Sequence, residues 1–202
     1  MNKIVSRTEL SDLVVRLEVE APMIAKARKP GHFVILKLGA KGERIPLTIS
    51  SADTQKGTIT LVVQRVGLTS NKLYNMQVGE EITDLLGPLG RATHIENFGT
   101  VLCAGGGVGI APLLPIVEGM KKAGNKVISV LAARSKNLIM LEDEIRRHSD
   151  EVVIMTDDGS YGEKGLITVG VEKIIQREKV DLCVTIGPAV MMKYVSLLTK
   201  KY

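Results

Sequence analysis

The chain has 202 residues, enough for one large or two small domains that each bury a core. Hydrophobic residues make up 45% and charged residues 24%, a balance typical of a globular protein, and no run approaches the ~18 apolar residues that a membrane span needs. The net charge is +5, but the 27 basic residues are scattered and aromatic residues make up only 3%, which argues against nucleic-acid binding. The first residues lack the apolar segment of a secretory signal, so we expect a cytoplasmic protein.

The first 95 residues contain short alternating segments separated by turn residues, a pattern typical of strands. Strands are predicted at residues 13–19, 33–38, 46–50, 58–63 and 81–86, and one helix at residues 69–76. Many short strands at this spacing indicate a small antiparallel β-barrel.

From residue 96 onward, continuous apolar runs alternate with segments of helical periodicity. Strands are predicted at residues 100–104, 126–133, 152–156 and 181–186, and helices at residues 112–123, 141–148, 168–178 and 189–200. Apolar strands that alternate with helices indicate a parallel sheet buried on both faces. We therefore predict two domains, a β-barrel at residues 1–95 and a doubly wound α/β domain at residues 96–202.

A glycine-rich stretch, AGGGVGIAP at residues 104–112, lies between the first strand and the first helix of the α/β half. Free N–H groups at a helix start favour a phosphate, and glycines let a ligand approach the backbone. The strict dinucleotide pattern G-x-G-x-x-G is not met; the form that fits is Gly107-x-Gly109-x-x-Pro112. A tight strand-to-helix turn with no ligand is the alternative interpretation.

Two segments of the barrel half also suit a nucleotide. The segment RIPLT at residues 44–48 places an arginine, which can bind phosphate, four residues before a threonine that can hydrogen-bond a flat heterocycle. The segment GLTS at residues 67–70 places hydroxyls at a helix start, where they cap the helix or hold a phosphate. An ordinary strand with a solvated Arg44 and a simple helix cap are the alternatives. A phosphate site in each half is the pattern expected of a protein that binds two nucleotides.

Five motifs in this order resemble those of the ferredoxin–NADP reductase superfamily, over essentially the whole chain. They are Pro30-Gly31-His32-Phe33, Arg44-x-Pro46-Leu47-Thr48, Gly67-Leu68-Thr69-Ser70, Gly107-Val108-Gly109-Ile110-Ala111-Pro112 and Gly187-Pro188-x-x-Met191. The segments 157–160 and 187–193 are most similar to electron-transfer subunits of two-subunit enzymes, of the NADH-dependent ferredoxin:NADP oxidoreductase (sulfide dehydrogenase) and dihydroorotate dehydrogenase kinds. The resemblance implies a Greek-key FAD-binding barrel followed by an NAD(P)-binding α/β domain.

The resemblance also implies roles for individual residues of the barrel. Arg44 is expected to meet the FAD pyrophosphate, and Thr48 to lie beside the flavin N5 edge as the catalytic residue. The other implied FAD contacts are Pro46, Leu47, Val63, Gln64, Gly67, Thr69 and Ser70.

In the α/β half, the implied partner is NADH or NADPH. The implied contacts are Gly107, Val108, Gly109 and Pro112 at the pyrophosphate, Arg134 on the adenosine side, and Gly187, Pro188 and Met191 near the nicotinamide. Core packing is the preferred interpretation for Met191. Asp157 and Asp158 end the third strand, where carboxylates would repel a 2′-phosphate, so NADH is favoured over NADPH. A solvated turn is the alternative for this pair.

Two features depart from the family pattern. His32 stands where the family usually has glutamine, and a surface-turn role is the preferred interpretation. The related subunits continue with a fifth strand and a cysteine-rich segment that holds a [2Fe-2S] cluster. The sequence stops after the fourth predicted helix. We therefore expect a shortened chain, or else a variant without the cluster, and a [2Fe-2S] cluster only in a segment absent from this chain.

The remaining reactive residues carry no predicted chemistry. Cys103 and Cys183 lie in apolar runs without a CxxC or a histidine pair, so we expect free thiols and no metal site. Acidic residues 142–144 with Arg146 and Arg147 are expected to form a solvated helix face with ion pairs.

The predicted function is that of a flavoprotein oxidoreductase subunit that passes electrons between NADH and an iron–sulfur or ferredoxin-type acceptor through FAD. A larger oxidoreductase subunit and a ferredoxin-type carrier are the expected partners. The alternatives are an electron-transfer subunit of a dihydroorotate dehydrogenase, a stand-alone ferredoxin or flavodoxin reductase, and a non-catalytic nucleotide-binding module.

Overall fold

The computed structural model describes residues 2–202. The chain divides into two compact units, Met1–Thr93 and His94–Tyr202. This division lies two residues before the boundary placed at residues 95 and 96 from the sequence. Among residues 2–202, no helix is long and apolar enough to cross a membrane.

The first unit is a barrel-like sheet of six antiparallel strands in the order β1-β2-β5-β4-β3-β6. The strands are β1 Ile4–Ser11, β2 Val14–Glu20, β3 Phe33–Lys37, β4 Arg44–Asp53, β5 Thr58–Gln64 and β6 Asp84–Leu89, and the helices are α1 Pro22–Ala27 and α2 Leu68–Asn75. Alternate residues of the strands, among them Leu17, Leu36 and Leu61, are fully buried in one core. The predicted antiparallel barrel is confirmed.

Two elements of this unit were not predicted. β1 has a weak signal because Ile4 is its only fully buried residue and polar side chains occupy much of the rest. The expectation of a single helix was wrong, because the short α1 precedes α2. α1 has only six residues, and of these only Ile24 and Ala25 are buried. So short a segment cannot show the helical period of apolar residues.

The second unit is a five-stranded parallel sheet with helices, in the order β10-β9-β8-β7-β11. Its strands are β7 Thr100–Gly106, β8 Lys126–Ala133, β9 Glu151–Thr156, β10 Glu163–Lys164 and β11 Leu182–Ile186, and its helices are α3 Ile110–Lys122, α4 Glu142–Arg147, α5 Ile167–Arg177 and α6 Ala189–Thr199. The predicted doubly wound α/β fold is confirmed. The two-residue β10 is exposed and has no sequence signal.

The parallel sheet brings the predicted residues of this unit to one edge. The carboxyl ends of parallel strands meet at the same edge, which is where ligands bind in such folds. β7 ends before Gly107, β8 before Arg134, β9 before Asp157 and β11 before Gly187. The helix after β7 begins at Ile110 rather than at residue 112. Pro112 is its third residue, where the missing N–H leaves no bond unmade.

Candidate functional site

β4 presents a strip of predicted residues on the outer surface of the barrel. Arg44 and Pro46 are exposed and Thr48 is partly exposed, whereas Ile45 and Leu47 pack against the core. The alternation of a strand produces this division. Since the side chain of Leu47 faces the core, any contact it makes with an outer ligand is through its backbone.

Arg44 belongs to a row of charges across three strands. Lys37 pairs with Arg44 across β3 and β4 and with Asp84 across β3 and β6. The Asp84 Oδ2 atom lies 3.8 Å from both Lys37 Nζ and Arg44 Nη2. Ion pairs of this length at exposed side chains contribute about 1 kcal/mol or less, so the Arg44 guanidinium is free to turn toward a stronger anion.

The start of α2 contains a glycine that neither conformation nor packing explains. Gly67 precedes the helix with φ −148° and ψ −176°, an extended conformation open to any residue. A Cβ on Gly67 would meet nothing within 4 Å. The first N–H groups of a helix lack intrahelical partners. An absent side chain beside free N–H groups fits a phosphate that approaches the backbone closely.

The side chains near Gly67 differ in what they can offer a ligand. Ser70 Oγ accepts hydrogen bonds from the N–H groups of Val66 and Gly67, each at 2.9 Å, and donates to the Gly67 carbonyl at 3.1 Å. The Ser70 hydroxyl therefore stabilises the turn. The backbone N–H of Ser70 remains available to a phosphate. Thr69 is buried, and Val63 lies wholly in the core. Gln64 is partly exposed at the end of β5.

The glycines of the loop after β7 serve two purposes. Gly107 has φ +55° and open space where a Cβ would project. Gly105, Gly106 and Gly109 instead lie against neighbours: a Cβ on Gly105 would lie 2.9 Å from Leu113 Cδ2, and one on Gly106 would meet Met191 Sδ. Packing therefore accounts for Gly105, Gly106 and Gly109. Only Gly107 faces open space.

The loop after β11 closes the other side of this edge. Met191 packs against Gly106, Gly187 and the core beside α5, as its core-filling interpretation predicts. Gly187 is half-buried and Pro188 is exposed at the start of α6. Val108 and Pro112 are partly exposed in the glycine-rich stretch.

The loops after β8 and β9 are tied together. The N–H groups of Asp157 and Asp158 donate to the carbonyls of Ala133 and Arg134, at 3.1 and 3.2 Å. Asp158 Oδ1 accepts bonds from the Ser160 N–H and hydroxyl, at 2.9 and 2.6 Å. The Ser160 hydroxyl thereby lowers the pKa of Asp158. Asp158 thus stabilises its own turn, while Asp157 and Arg134 remain exposed at the edge of the sheet.

Lys136 and Tyr161 join this region and were missed from the sequence. Lys136 Nζ lies 5.2 Å from the centroid of the Tyr161 ring, and the Lys136 N–H donates to Ser160 Oγ at 2.8 Å. The Tyr161 hydroxyl donates to Glu142 Oε1 at 3.0 Å, and this bond raises the pKa of Tyr161. Arg146 also bonds Glu142 Oε1, at 2.7 Å, which confirms the predicted i,i+4 ion pair. The only sequence signal was an aromatic residue directly after the Asp-Asp-Gly-Ser turn.

The histidine and the cysteines have structural surroundings. His32 Nδ1 accepts a bond from the Lys29 N–H at 3.1 Å, so it builds its turn. Both cysteines are free; burial raises the pKa of Cys103 to about 12 and that of Cys183 to about 11. Among residues 2–202, no group of three or more histidine, cysteine or acidic residues is placed to hold a metal.

Comparison with known proteins places these features in context. The family profile of the oxidoreductase FAD-binding domain matches residues 2–94. A dihydroorotate dehydrogenase B (NAD(+)) electron transfer subunit homolog of Thermotoga maritima is 41% identical over 202 residues, which is 100% of this chain and 71% of the relative. The corresponding subunit of Fusobacterium nucleatum is 31% identical over 88% of this chain and 71% of its own length.

Solved structures extend the comparison. The structure of an NADH-dependent reduced ferredoxin–NADP oxidoreductase matches with a TM-score of 0.95 at 39% identity, over 99% of this chain and 72% of that one. The ferredoxin reductase of carbazole 1,9a-dioxygenase matches with a TM-score of 0.81 at 19% identity, over 98% of this chain and 64% of that one, and shares the fold.

Proposed function

The chain belongs to the ferredoxin–NADP reductase superfamily of FAD-binding oxidoreductases, and we propose that it is a catalytic subunit that accepts hydride from NADH through FAD and passes electrons to an iron–sulfur or ferredoxin-type acceptor. The observation that carries this proposal is a pair of open glycines. Gly67 and Gly107 stand at the starts of α2 and of the loop before α3, one in each unit, with nothing within 4 Å of a Cβ. A protein that holds two dinucleotides needs one such approach for each diphosphate.

In the first unit, the residues present fit FAD. Bound FAD would accept the two electrons of a hydride and release them one at a time. Arg44 binds the diphosphate, because its weak contact with Asp84 is readily exchanged for a doubly charged group. The backbone N–H groups of Thr69 and Ser70 hold the same group at the start of α2, and Gly67 leaves the space for it to approach.

The outer face of β4 receives the flavin ring. Pro46 offers an exposed apolar surface, Leu47 its backbone and Gln64 a polar side chain at the neighbouring strand end. The partly exposed Thr48 hydroxyl would help to hold a flavin ring on this face and would position its reacting edge for hydride transfer. Hydride transfer requires no general acid or base, so alignment and electrostatics are the protein's contribution.

In the second unit, the loop after β7 holds the nicotinamide dinucleotide. The backbone at Gly107 and Val108 binds the pyrophosphate at the start of α3, and Pro112 forms part of the wall. Gly187 and Pro188 border the nicotinamide, and Met191 supports them from behind. Gly109 shapes the loop by packing.

Asp157 selects NADH over NADPH. Asp158 Oδ1 is occupied by Ser160, whereas the Asp157 carboxylate is exposed at the edge of the sheet. A carboxylate there accepts bonds from the ribose hydroxyls and repels a 2′-phosphate. Arg134 lies on the adenosine side and contacts the ribose or the pyrophosphate.

The partner is a larger oxidoreductase subunit, as the names of the relatives suggest. The Thermotoga maritima relative also favours a second candidate, an electron transfer subunit of a dihydroorotate dehydrogenase. Reconstitution with candidate large subunits tests both, since only the second predicts dihydroorotate-dependent reduction of NAD⁺. A cytoplasmic location stays a prediction.

A visible spectrum with turnover tests the proposal. The purified chain supplied with FAD should show flavin bands near roughly 375 and 450 nm. It should also oxidise NADH with an artificial acceptor, which separates a catalytic subunit from a module that only binds nucleotide. Protein that stays colourless after FAD is added and desalted contradicts the proposal.

A further inference from the structure

Arg65, which follows β5, is held in a fixed position by two neighbours. Its guanidinium carbon lies 4.8 Å from the centroid of the Tyr74 ring, and its Nε donates to Asn71 Oδ1 at 3.0 Å. Asn71 in turn donates from Nδ2 to the Gly67 carbonyl at 2.7 Å. Tyr74 is buried, and its hydroxyl donates to the Ser11 carbonyl at 3.3 Å. The exposed guanidinium is therefore linked through Asn71 to the turn that begins α2.

The charge of Arg65 has no acidic partner in the described part of the chain: within residues 2–202, no carboxylate oxygen lies within 4 Å of its side-chain nitrogens. Arg7 provides the contrast, because it contacts the same Tyr74 ring at 5.6 Å but pairs with Glu9 at 2.8 Å. The Nε of Arg65 is used by Asn71, which leaves the Nη groups available. A guanidinium with its stem fixed loses little further entropy when it binds an anion.

The surface around Arg65 combines this charge with apolar side chains. Val66 and Leu68, on either side of the open Gly67, are 79% and 70% exposed. Large apolar side chains this exposed beside an un-neutralised guanidinium suit a ligand that carries both a flat ring and phosphates. A dinucleotide has both parts.

We infer that Arg65 is a further binding residue for the diphosphate of FAD, beside the free N–H groups at the start of α2. This inference rests on the proposed function. Asn71 is a positioning residue, since its side chain holds Arg65 and donates to the Gly67 carbonyl. Arg65 and Arg44 then differ in kind: Arg44 must leave Asp84 to bind, whereas Arg65 is already in place.

Equilibrium titration of the apoprotein with FAD, ADP and riboflavin tests the inference. Arg65→Ala should weaken FAD and ADP binding about tenfold, the size expected for one charge-assisted hydrogen bond, and leave riboflavin binding unchanged because riboflavin has no phosphate. Arg65→Lys should recover only part of the loss, because an ammonium lacks the planar face that lies on Tyr74 and cannot bind in a bidentate manner. Asn71→Ala should weaken FAD and ADP binding to a smaller extent with the charge retained.

Two controls separate binding from stability. Lys72→Ala removes a charge from the last turn of the same helix and should leave FAD affinity within about twofold. A melting temperature for each apoprotein shows whether the variants fold. Equal FAD affinity in the Arg65→Ala variant and the parent protein overturns the inference, as does an equal loss of riboflavin. Failure of the proposed function looks different, because then the parent protein itself binds no FAD.

Discussion

The Cα atom of Gly109 lies so close to the backbone of β11 that a Cβ on it would sit 2.5 Å from the carbonyl oxygen of Ile186. This contact joins the turn after β7 to the adjacent parallel strand. Gly109 has φ −62°, a conformation that any residue adopts, so its small size alone explains the glycine. Packing against β11 thereby holds the loop at the carboxyl edge of the sheet.

Substitution of two loop glycines should therefore give different results. Gly109→Ala should lower stability by about 1–3 kcal/mol through overpacking. Gly107→Ala should cost about 1 kcal/mol for its left-handed conformation, but it should also weaken NADH binding, because its methyl group points into open space. Thermal unfolding and NADH titration of both variants measure these effects. If both variants lose NADH affinity in the same proportion to the free energy of unfolding that they lose, the different roles of Gly107 and Gly109 are contradicted.

Thr48 should affect reaction more than binding. Thr48→Ala is expected to slow the reduction of bound flavin by NADH about tenfold, since one hydrogen bond to the reacting edge is lost, while FAD affinity stays within about threefold. Thr48→Ser keeps the hydroxyl and should restore the rate. Stopped-flow absorbance at the flavin band measures the rate. If FAD dissociates from the alanine variant instead, Thr48 is a binding residue.

Substitutions of Asp157 and Asp158 should have different effects, the first on the selectivity between NADH and NADPH and the second on the structure of the turn. Asp157→Ser is expected to raise the preference for NADPH relative to NADH about tenfold, because a unit repulsion at ~4 Å is worth about 1 kcal/mol or more. Asp158→Asn weakens the bonds to Ser160 and should lower kcat/KM for both nucleotides alike. The ratio of kcat/KM values for the two nucleotides is the measurement. A change of selectivity in the Asp158 variant alone would reverse the assignment.

Asp150 should make the second unit sensitive to acid. Its carboxylate accepts bonds from Lys121 Nζ at 2.6 Å and from the Val127 N–H at 2.8 Å, and the Lys121 bond is the main cause of its lowered pKa. A carboxyl whose pKa is lower in the folded state stabilises it above the ordinary pKa of about 3.9 and loses that effect as the pH falls through the folded value. The melting temperature of the parent protein should thus exceed that of Asp150→Asn at pH 7, and the difference should shrink below pH ~4.

Asp143→Asn, which removes an exposed carboxylate from α4, is the matched control and should show no such convergence. A difference between the parent protein and Asp150→Asn that stays constant down to pH ~2 would show that packing, not the charge of Asp150, is responsible.

The two cysteines should stay unreactive and unbridged while the chain is folded. Cys183 pairs with Leu102 and Cys103 with Val184, so the thiols lie on opposite faces of neighbouring strands. The pKa of Cys103 is about 12 and that of Cys183 about 11, so both thiols are neutral at pH 8. Maleimide labelling should be slow at pH 8 and rapid in denaturant, and an oxidant should produce no intramolecular disulfide. Rapid labelling of the native protein would contradict the burial of Cys103 and the partial burial of Cys183.

The sequence predicted those elements whose signal is local. The apolar runs of β7 and β8 and the alternation in β2 each follow from the burial of their own residues. The roles of Gly106 and Gly109 were not predictable, because they depend on Met191 and Ile186, about 80 residues away in sequence. The engagement of Ser70 within its turn, and of Asp158 with Ser160, likewise required the folded geometry.

The proposed role of Arg65 was not predictable from the sequence either. One basic residue among 27 has no distinguishing sequence signal. It stands out only when the structure shows that it is stacked on Tyr74 and held by Asn71. Contacts formed in the folded chain, rather than residue type, therefore separate a binding arginine from a solvated one.

Anaerobic titration of the FAD-loaded chain with NADH would show whether bound FAD accepts hydride from NADH. We expect one FAD per chain, bleaching of the flavin band near roughly 450 nm by one equivalent of NADH, and much slower bleaching by NADPH. A chain that retains no FAD, or a bound flavin whose spectrum NADH leaves unchanged, would contradict the proposed function.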